Sequence, residues 1–168
     1  MSPLPRRSLR SRALQLLAQR DQSRLELRRK LLRHARDGDT DDDTAGDDGG
    51  GAAAAVEQVE ALLDWLEANR FLSSERFVES RVHARESRFG NQRIKSELAQ
   101  HALALPPELA KQLGETEMAR ASTVRARRFA APPRDAAERA AQSRFLAARG
   151  FSAETIHKVM RQTIAVSS

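Results

Sequence analysis

DWLEANRFLSSERFVESRVHARESRFGNQRIKSELAQHALAL, residues 64–105, is the stretch that decides the fold. It spells the end of one helix, a tight turn, a second helix, another turn and a third helix. Its opening, LEANRFLSSERF at 66–77, has an echo in LAARGFSAETI at 146–156. In each, a Leu leads a polar turn, then a Phe, then a Ser cap followed by Glu. Such self-similarity is the mark of a repeat protein, in which each helical unit buries its apolar face against the next.

Working outward, the N-terminal side carries two more helices. Ser8 to Arg20 places Leu9, Ala13, Leu16 and Leu17 on one face. Ser23 and Glu26 form a capping box, each side chain answering an amide that the first helical turn leaves open. The helix behind it, to Arg36, turns Leu27 and Leu31 inward and sets Arg29, Arg33 and Arg36 in a stripe. Residues 37–51, DGDTDDDTAGDDGGG, hold seven Asp and no basic residue. Like charges and glycines leave nothing to bury, so a disordered acidic insert is expected. Asp39, Asp41 and Asp43 match the first ligands of a calcium loop, but Thr44 and Gly50 occupy the positions where that loop needs Gly and Glu. A third helix from about Ala53 to Asn69 turns Val56, Val59, Leu63 and Leu66 inward, with Trp65 as the largest anchor.

Within the central stretch, Ser73 or Ser74 caps a helix that buries Phe77, Val78, Val82 and Phe89. Arg81, Arg85 and Arg88 repeat the stripe spacing. Gly90 is expected to end that helix in the left-handed conformation, and Asn91 to cap the next, with Ile94, Leu98 and Ala102 inward. Pro106 and Pro107 start a short helix that Gly114 is expected to break. A separate helix then runs from Glu115 to Phe129, carrying Arg120, Arg125, Arg127 and Arg128. Asp135 and Glu138 cap another helix ending at Arg149 and Gly150. Ser152 caps the last, with Ile156, Val159 and Met160 inward. The expectation is an all-α chain of nine helices in three tandem three-helix repeats, at 1–72, 73–114 and 115–168, with a frayed arm at 1–7.

Composition narrows the function. There is no cysteine, which excludes disulfides, thiol catalysis and cysteine-held metal and fits a reducing cytoplasm. No apolar run is long enough for a signal peptide or a membrane span. His34, His83, His101 and His157 lack ligand spacing, and Gly49, Gly50 and Gly51 are followed by alanine instead of the Lys of a phosphate loop. We therefore expect neither an enzyme nor a bound cofactor or metal. The formal net charge is +6, and would be +13 without the seven Asp of the insert. Nearly all basic residues are Arg, whose planar guanidinium grips phosphate or carboxylate through two bonds. Each single Arg is equally well explained as part of a solvated, ion-paired face. The recurring stripes favour a binding face for a polyanion, with Arg29, Arg33, Arg81, Arg85, Arg88, Arg125, Arg127 and Arg128 as its candidates. Base stacking looks weak as a mode, since aromatics are only 4% and most are needed in the core.

Four segments resemble the RecX family of bacterial regulators of the RecA recombinase: SRLELRRKL at 23–31, RFLSSERFVESRV at 70–82, FGNQRIKSELAQHAL at 89–103 and FLAARGFSAETIHKVM at 145–160. They stand in the family's order and cover most of residues 8–162; the acidic insert is the departure. The resemblance implies tandem three-helix repeats in an elongated, curved, monomeric protein of the cytoplasm. It implies binding to the RecA–DNA filament, with contact to single- or double-stranded DNA. It further implies suppression of strand exchange, ATP hydrolysis and co-protease activity, and so an effect on DNA repair, homologous recombination and the SOS response. The rival reading is a helix-turn-helix DNA-binding protein acting without RecA. Against it, no recognition helix stands out.

Overall fold

The computed structural model describes residues 8–39 and 49–165, and every regular element among them is a helix. There are eight: α1 (Leu9–Gln19), α2 (Arg24–Asp39), α3 (Gly49–Ala68), α4 (Ser74–Glu86), α5 (Asn91–Ala99), α6 (Pro107–Arg128), α7 (Ala136–Ala148) and α8 (Ala153–Ala165). The chain forms two compact units, the first ending at Phe77 and the second beginning at Val78. The arm at 1–7 and residues 40–48 of the expected acidic insert lie outside the described residues. At the insert's two ends, α2 runs on through Asp39 and α3 begins at Gly49.

Four of the predicted caps form. Ser23 Oγ accepts from the Glu26 amide at 3.1 Å, Ser73 Oγ from Arg76 at 3.2 Å, Asp135 Oδ1 from Glu138 at 2.7 Å and Ser152 Oγ from Thr155 at 3.2 Å. Behind them, Ala13, Leu16, Leu27, Leu31, Val59, Leu63, Leu66 and Leu72 make the core of the first unit. In the second, Ala121, Val124, Leu146, Phe151, Ile156, Val159 and Met160 form one cluster, and Val78, Val82, Ile94, Leu98 and Leu113 are also buried.

A backbone motif recurs three times. After α3, α5 and α7 a residue enters the left-handed region: Arg70 (φ 58°), Ala102 (φ 57°) and Gly150 (φ 82°). Each donates its amide three residues back, to Glu67, Ala99 and Ala147. The following residue, Phe71, Leu103 or Phe151, donates five residues back, to Leu66, Leu98 or Leu146. This is the Schellman arrangement, in which the last helical carbonyls are satisfied by a reversed turn. All three accepting leucines are fully buried. Three copies of one helix-ending device, each on a core Leu, mark the three tandem repeats.

Several local expectations need correcting. The helix count is eight among the described residues, because α6 runs unbroken through Gly114. Leu113, Glu117, Ala121 and Val124 form one buried stripe across it, and a mid-helix Gly costs only about 1 kcal/mol. Gly90 is extended (φ −79°, ψ 168°), not left-handed. It is Gly because a Cβ there would lie 2.2 Å from the Gly150 carbonyl oxygen. Gly90 donates to the Arg149 carbonyl and Gln92 to that of Gly150, so the two turns sit backbone to backbone. Gly90 also holds the cap position of α5, where Asn91 was expected. Ala102 is exposed beyond the end of α5, and Phe89 and Val56 are only half-buried. Trp65 is likewise half-buried, packed on the edge of the first core and not at its centre. Among the described residues, no helix is long and apolar enough to cross a membrane.

Candidate basic binding surface

On α2, arginines sort by face. Arg24 donates to Glu60 at 2.7 Å, Asp64 at 2.8 Å and Glu67 at 2.7 Å, and Arg28 pairs with Glu60. Glu60, Asp64 and Glu67 stand on one side of α3, so these pairs lace α2 to α3. Burial would make the Arg24 guanidinium easier to neutralise, but its bonds to Glu60 and Asp64 and the charge of Glu67 outweigh this and hold it firmly charged. The same bonds from Arg28 and Arg24 hold Glu60 below the usual carboxylate range. These two arginines are used up in the fold. Arg29, Arg33 and Arg36 face the other way, exposed, and Arg29 and Arg33 form no ion pair among the described residues.

In the second unit the arginines converge on Phe89. The guanidinium carbons of Arg85, Arg88, Arg93 and Arg149 lie 5.6, 5.7, 5.5 and 5.9 Å from its ring centroid. Of these, Arg85 and Arg93 share the Glu97 carboxylate, at 2.9 and 3.2 Å. Arg149 lies over Phe145 at 4.7 Å and donates to the Arg88 carbonyl at 3.4 Å. Arg81 stands 3.4 Å from His101 Nε2. A cavity of about 390 Å³ opens beside this group, lined by Arg81, Arg85, Arg93, Ser96, Gln100 and His101, with Glu97. The predicted α4 stripe is therefore part of a larger basic cluster to which Arg93 and Arg149 also belong. Sequence spacing missed these two because they reach Phe89 from α5 and from the turn after α7. A Phe followed by Gly, with Arg on either side, was the available signal.

The arginines of α6 divide as well. Arg125 donates to Gln142 Oε1 at 2.9 Å and to the Ala131 carbonyl at 3.3 Å, which ties α6 to the middle of α7 and to the loop before it. Arg127 and Arg128 are exposed in its last turn, where positive charge also suits the helix dipole; Arg128 lies 5.4 Å from the Phe129 ring. Arg120 is an internal clamp. It donates to the carbonyls of Glu86, Phe89 and Leu113, to Asn91 Oδ1 and to Thr116.

One turn earlier on α6, Glu117 is 5% exposed, on a stripe otherwise apolar. Its Oε1 accepts from the Asn91 amide at 2.9 Å, and its Oε2 from Ser152 at 2.9 Å and Thr155 at 2.7 Å. Burial alone would raise its pKa. The bonds from Asn91, Thr155 and Ser152, with Arg120 nearby, outweigh that and hold it below the carboxylate range. Glu117 thus fixes the N-termini of α5 and α8 to α6, and so sets where Arg93 and the cluster around Phe89 stand.

In each unit, taken by itself, exposed guanidinium groups stand on or beside helices, suited to shallow contacts with phosphates or carboxylates. Comparison with known proteins gives the relatives. A family model described as RecX, third three-helix domain, matches residues 115–160. A regulatory protein RecX of Ralstonia nicotianae is 46% identical over 162 residues, spanning 94% of this chain and 91% of that protein. One of Herbaspirillum seropedicae is 45% identical over 161 residues, spanning 95% and 93%. The crystal structure of RecX from Lactobacillus salivarius superposes with a TM-score of 0.64 at 16% identity, over 94% of this chain and 95% of that one, which shows a shared fold.

Proposed function

The chain belongs to the RecX family of regulatory proteins, and from that membership we propose that it binds the RecA–DNA filament and inhibits its recombinase, ATPase and co-protease activities. Through these it acts on DNA repair and the SOS response in the cytoplasm. The observation that supports this most is the sorting of arginines. Arg24, Arg28, Arg120 and Arg125 are engaged inside the fold. Arg29, Arg33, Arg127 and Arg128 are left exposed on helices, and Arg88 in the turn after α4.

Each exposed charge contributes only about 0–1 kcal/mol, so binding rests on their number. A filament is a partner that can meet many of them at once. Such binding releases counterions and weakens steeply with salt, with a log–log slope near −0.7 per phosphate met on a single strand.

The test is inhibition of RecA-driven ATP hydrolysis, paired with co-sedimentation on filaments and on naked duplex. A variant with Arg29, Arg33, Arg127 and Arg128 changed to Ala keeps the interior network and should melt like the parent. We expect it to lose most inhibition at physiological salt and to leave the filament pellet. A folded variant that inhibits at the parent concentration would refute the assignment. Retention on naked duplex with none on filaments would refute RecA as the partner.

A further inference from the structure

Phe71 is 46% exposed, and no other large hydrophobic residue among those described is exposed. Its counterpart in the third repeat, Phe151, follows the same Schellman turn and is 2% exposed. The difference is one extra residue. In the first repeat Leu72 also donates to the Leu66 carbonyl, at 3.1 Å, and takes the buried place at 3% exposure. The core is thereby filled without Phe71, and the ring is presented outward.

The turn holds it there at a cost. Arg70 adopts φ 58°, where the third repeat uses Gly, and a non-Gly residue in that region is strained. The Arg76 guanidinium fixes the turn from outside by donating to the Arg70 carbonyl at 3.1 Å and the Phe71 carbonyl at 3.0 Å. Phe71 stacks on Trp65, with centroids 5.5 Å apart and planes 21° from parallel. Arg10 of α1 lies over the Trp65 ring at 3.8 Å.

Charge selects the occupant. Carboxylates of the first unit have cationic partners of their own: Glu60, Asp64 and Glu67 pair with Arg24 and Arg28, and Asp21 with Arg76. Glu75 accepts from Ser73 Oγ. Arg10 and Arg70 are exposed and have no carboxylate partner among the described residues. A rigid, outward aromatic pair flanked by two unneutralised guanidinium groups fits a base with its phosphates, since bases stack on aromatic faces whatever their sequence.

We propose that Trp65, Phe71, Arg10 and Arg70 form a stacking site for a base of single-stranded nucleic acid. It is separate from the arginine rows and rests on the reading that the partner filament carries DNA. A nucleotide stacks on Phe71, and Arg10 and Arg70 meet its phosphates.

Trp65 is the only tryptophan in the chain, so it reports on its own site. The full-length protein, without RecA, is titrated with an oligothymidylate of about 20 nucleotides, enough for one such site. Trp65 emission should be quenched saturably. Phe71→Ala and Phe71→Leu should each weaken binding about ten-fold, the effect of losing one stacked base. Phe71→Tyr should bind and melt like the parent, whereas Phe71→Ala and Phe71→Leu give up the stack on Trp65 and should melt slightly lower while staying folded. Absence of quenching, or parental affinity in Phe71→Ala, overturns the proposal. So does Phe71→Leu binding like the parent, which would make the contact merely apolar. A parent that inhibits RecA yet shows no quenching defeats this site alone. Quenching with no inhibition defeats the filament reading alone.

Discussion

Changing Glu117 to Gln removes a charge without removing volume, and the geometry sets its cost. The carboxylate accepts from the Asn91 amide on one oxygen and from Ser152 and Thr155 on the other. A glutamine can offer its oxygen to only one side. If that oxygen faces Asn91, its NH₂ meets two hydroxyls that can rotate to accept. If it faces the hydroxyls, its NH₂ meets the fixed Asn91 N–H, and two donors collide. The first arrangement therefore wins, and the loss is that of charge-assisted bonds becoming neutral, about 1–3 kcal/mol. Glu117→Ala leaves the Asn91 amide with no acceptor and takes the counter-charge from Arg120, which should cost about 3–5 kcal/mol. For a unit of this size, 1 kcal/mol corresponds to about 4–8 °C in melting temperature. The pH dependence has a definite sign. Because the folded-state pKa is depressed, the carboxylate's contribution is complete above the ordinary carboxylate value and is lost as pH falls through the folded one. Urea melts of parent and Glu117→Gln, followed by circular dichroism, should differ most at neutral pH and converge in acid. A Gln variant as stable as the parent at neutral pH, or a gap that stays constant into acid, would refute this account of Glu117.

Gly114→Ala should stabilise by about 1 kcal/mol, since a Cβ there meets nothing within 4 Å on a continuous helix; a melting temperature below the parent's would restore the break. Gly90→Ala should destabilise by at least about 2 kcal/mol, because its Cβ would stand 2.2 Å from the Gly150 carbonyl oxygen; a neutral result in a chemical melt would show that the two turns part easily. Trp65→Ala should cost about 2 kcal/mol, less than a fully buried aromatic, and a loss of 4 or more (of order) would place it at the core after all. Arg24→Ala should cost about 1 kcal/mol, read by thermal melts, and the gap should shrink in high salt as Glu60, Asp64 and Glu67 are screened.

The sequence by itself determined what rests on neighbours along the chain. Ser23, Ser73, Asp135 and Ser152 announce their helices because a cap bonds an amide three residues away or fewer. Leu27 and Leu31, Leu63 and Leu66, Ile94 and Leu98 declare their inward faces by helical spacing alone. The likeness of 66–77 to 146–156 revealed the repeat, since one Schellman turn needs the same short pattern wherever it occurs. Only the tertiary structure decided what each charged or aromatic side chain meets. A stripe of arginines at helical spacing looks the same in sequence whether it meets solvent, as Arg29 and Arg33 do, or is engaged, as Arg120 and Arg125 are. Glu117 was invisible because its partners lie 26 to 38 residues away. Gly90 departs from the expected left-handed turn for the same reason: its need for no side chain comes from the Gly150 backbone and not from its own φ. Trp65 is marked as a core anchor by its size, yet it packs on the edge of the first core, and one inserted residue, Leu72, takes the buried place next to the turn and leaves Phe71 outside. Local bonds are written in local sequence, whereas a side chain's environment is set by residues that become neighbours only once the chain has folded.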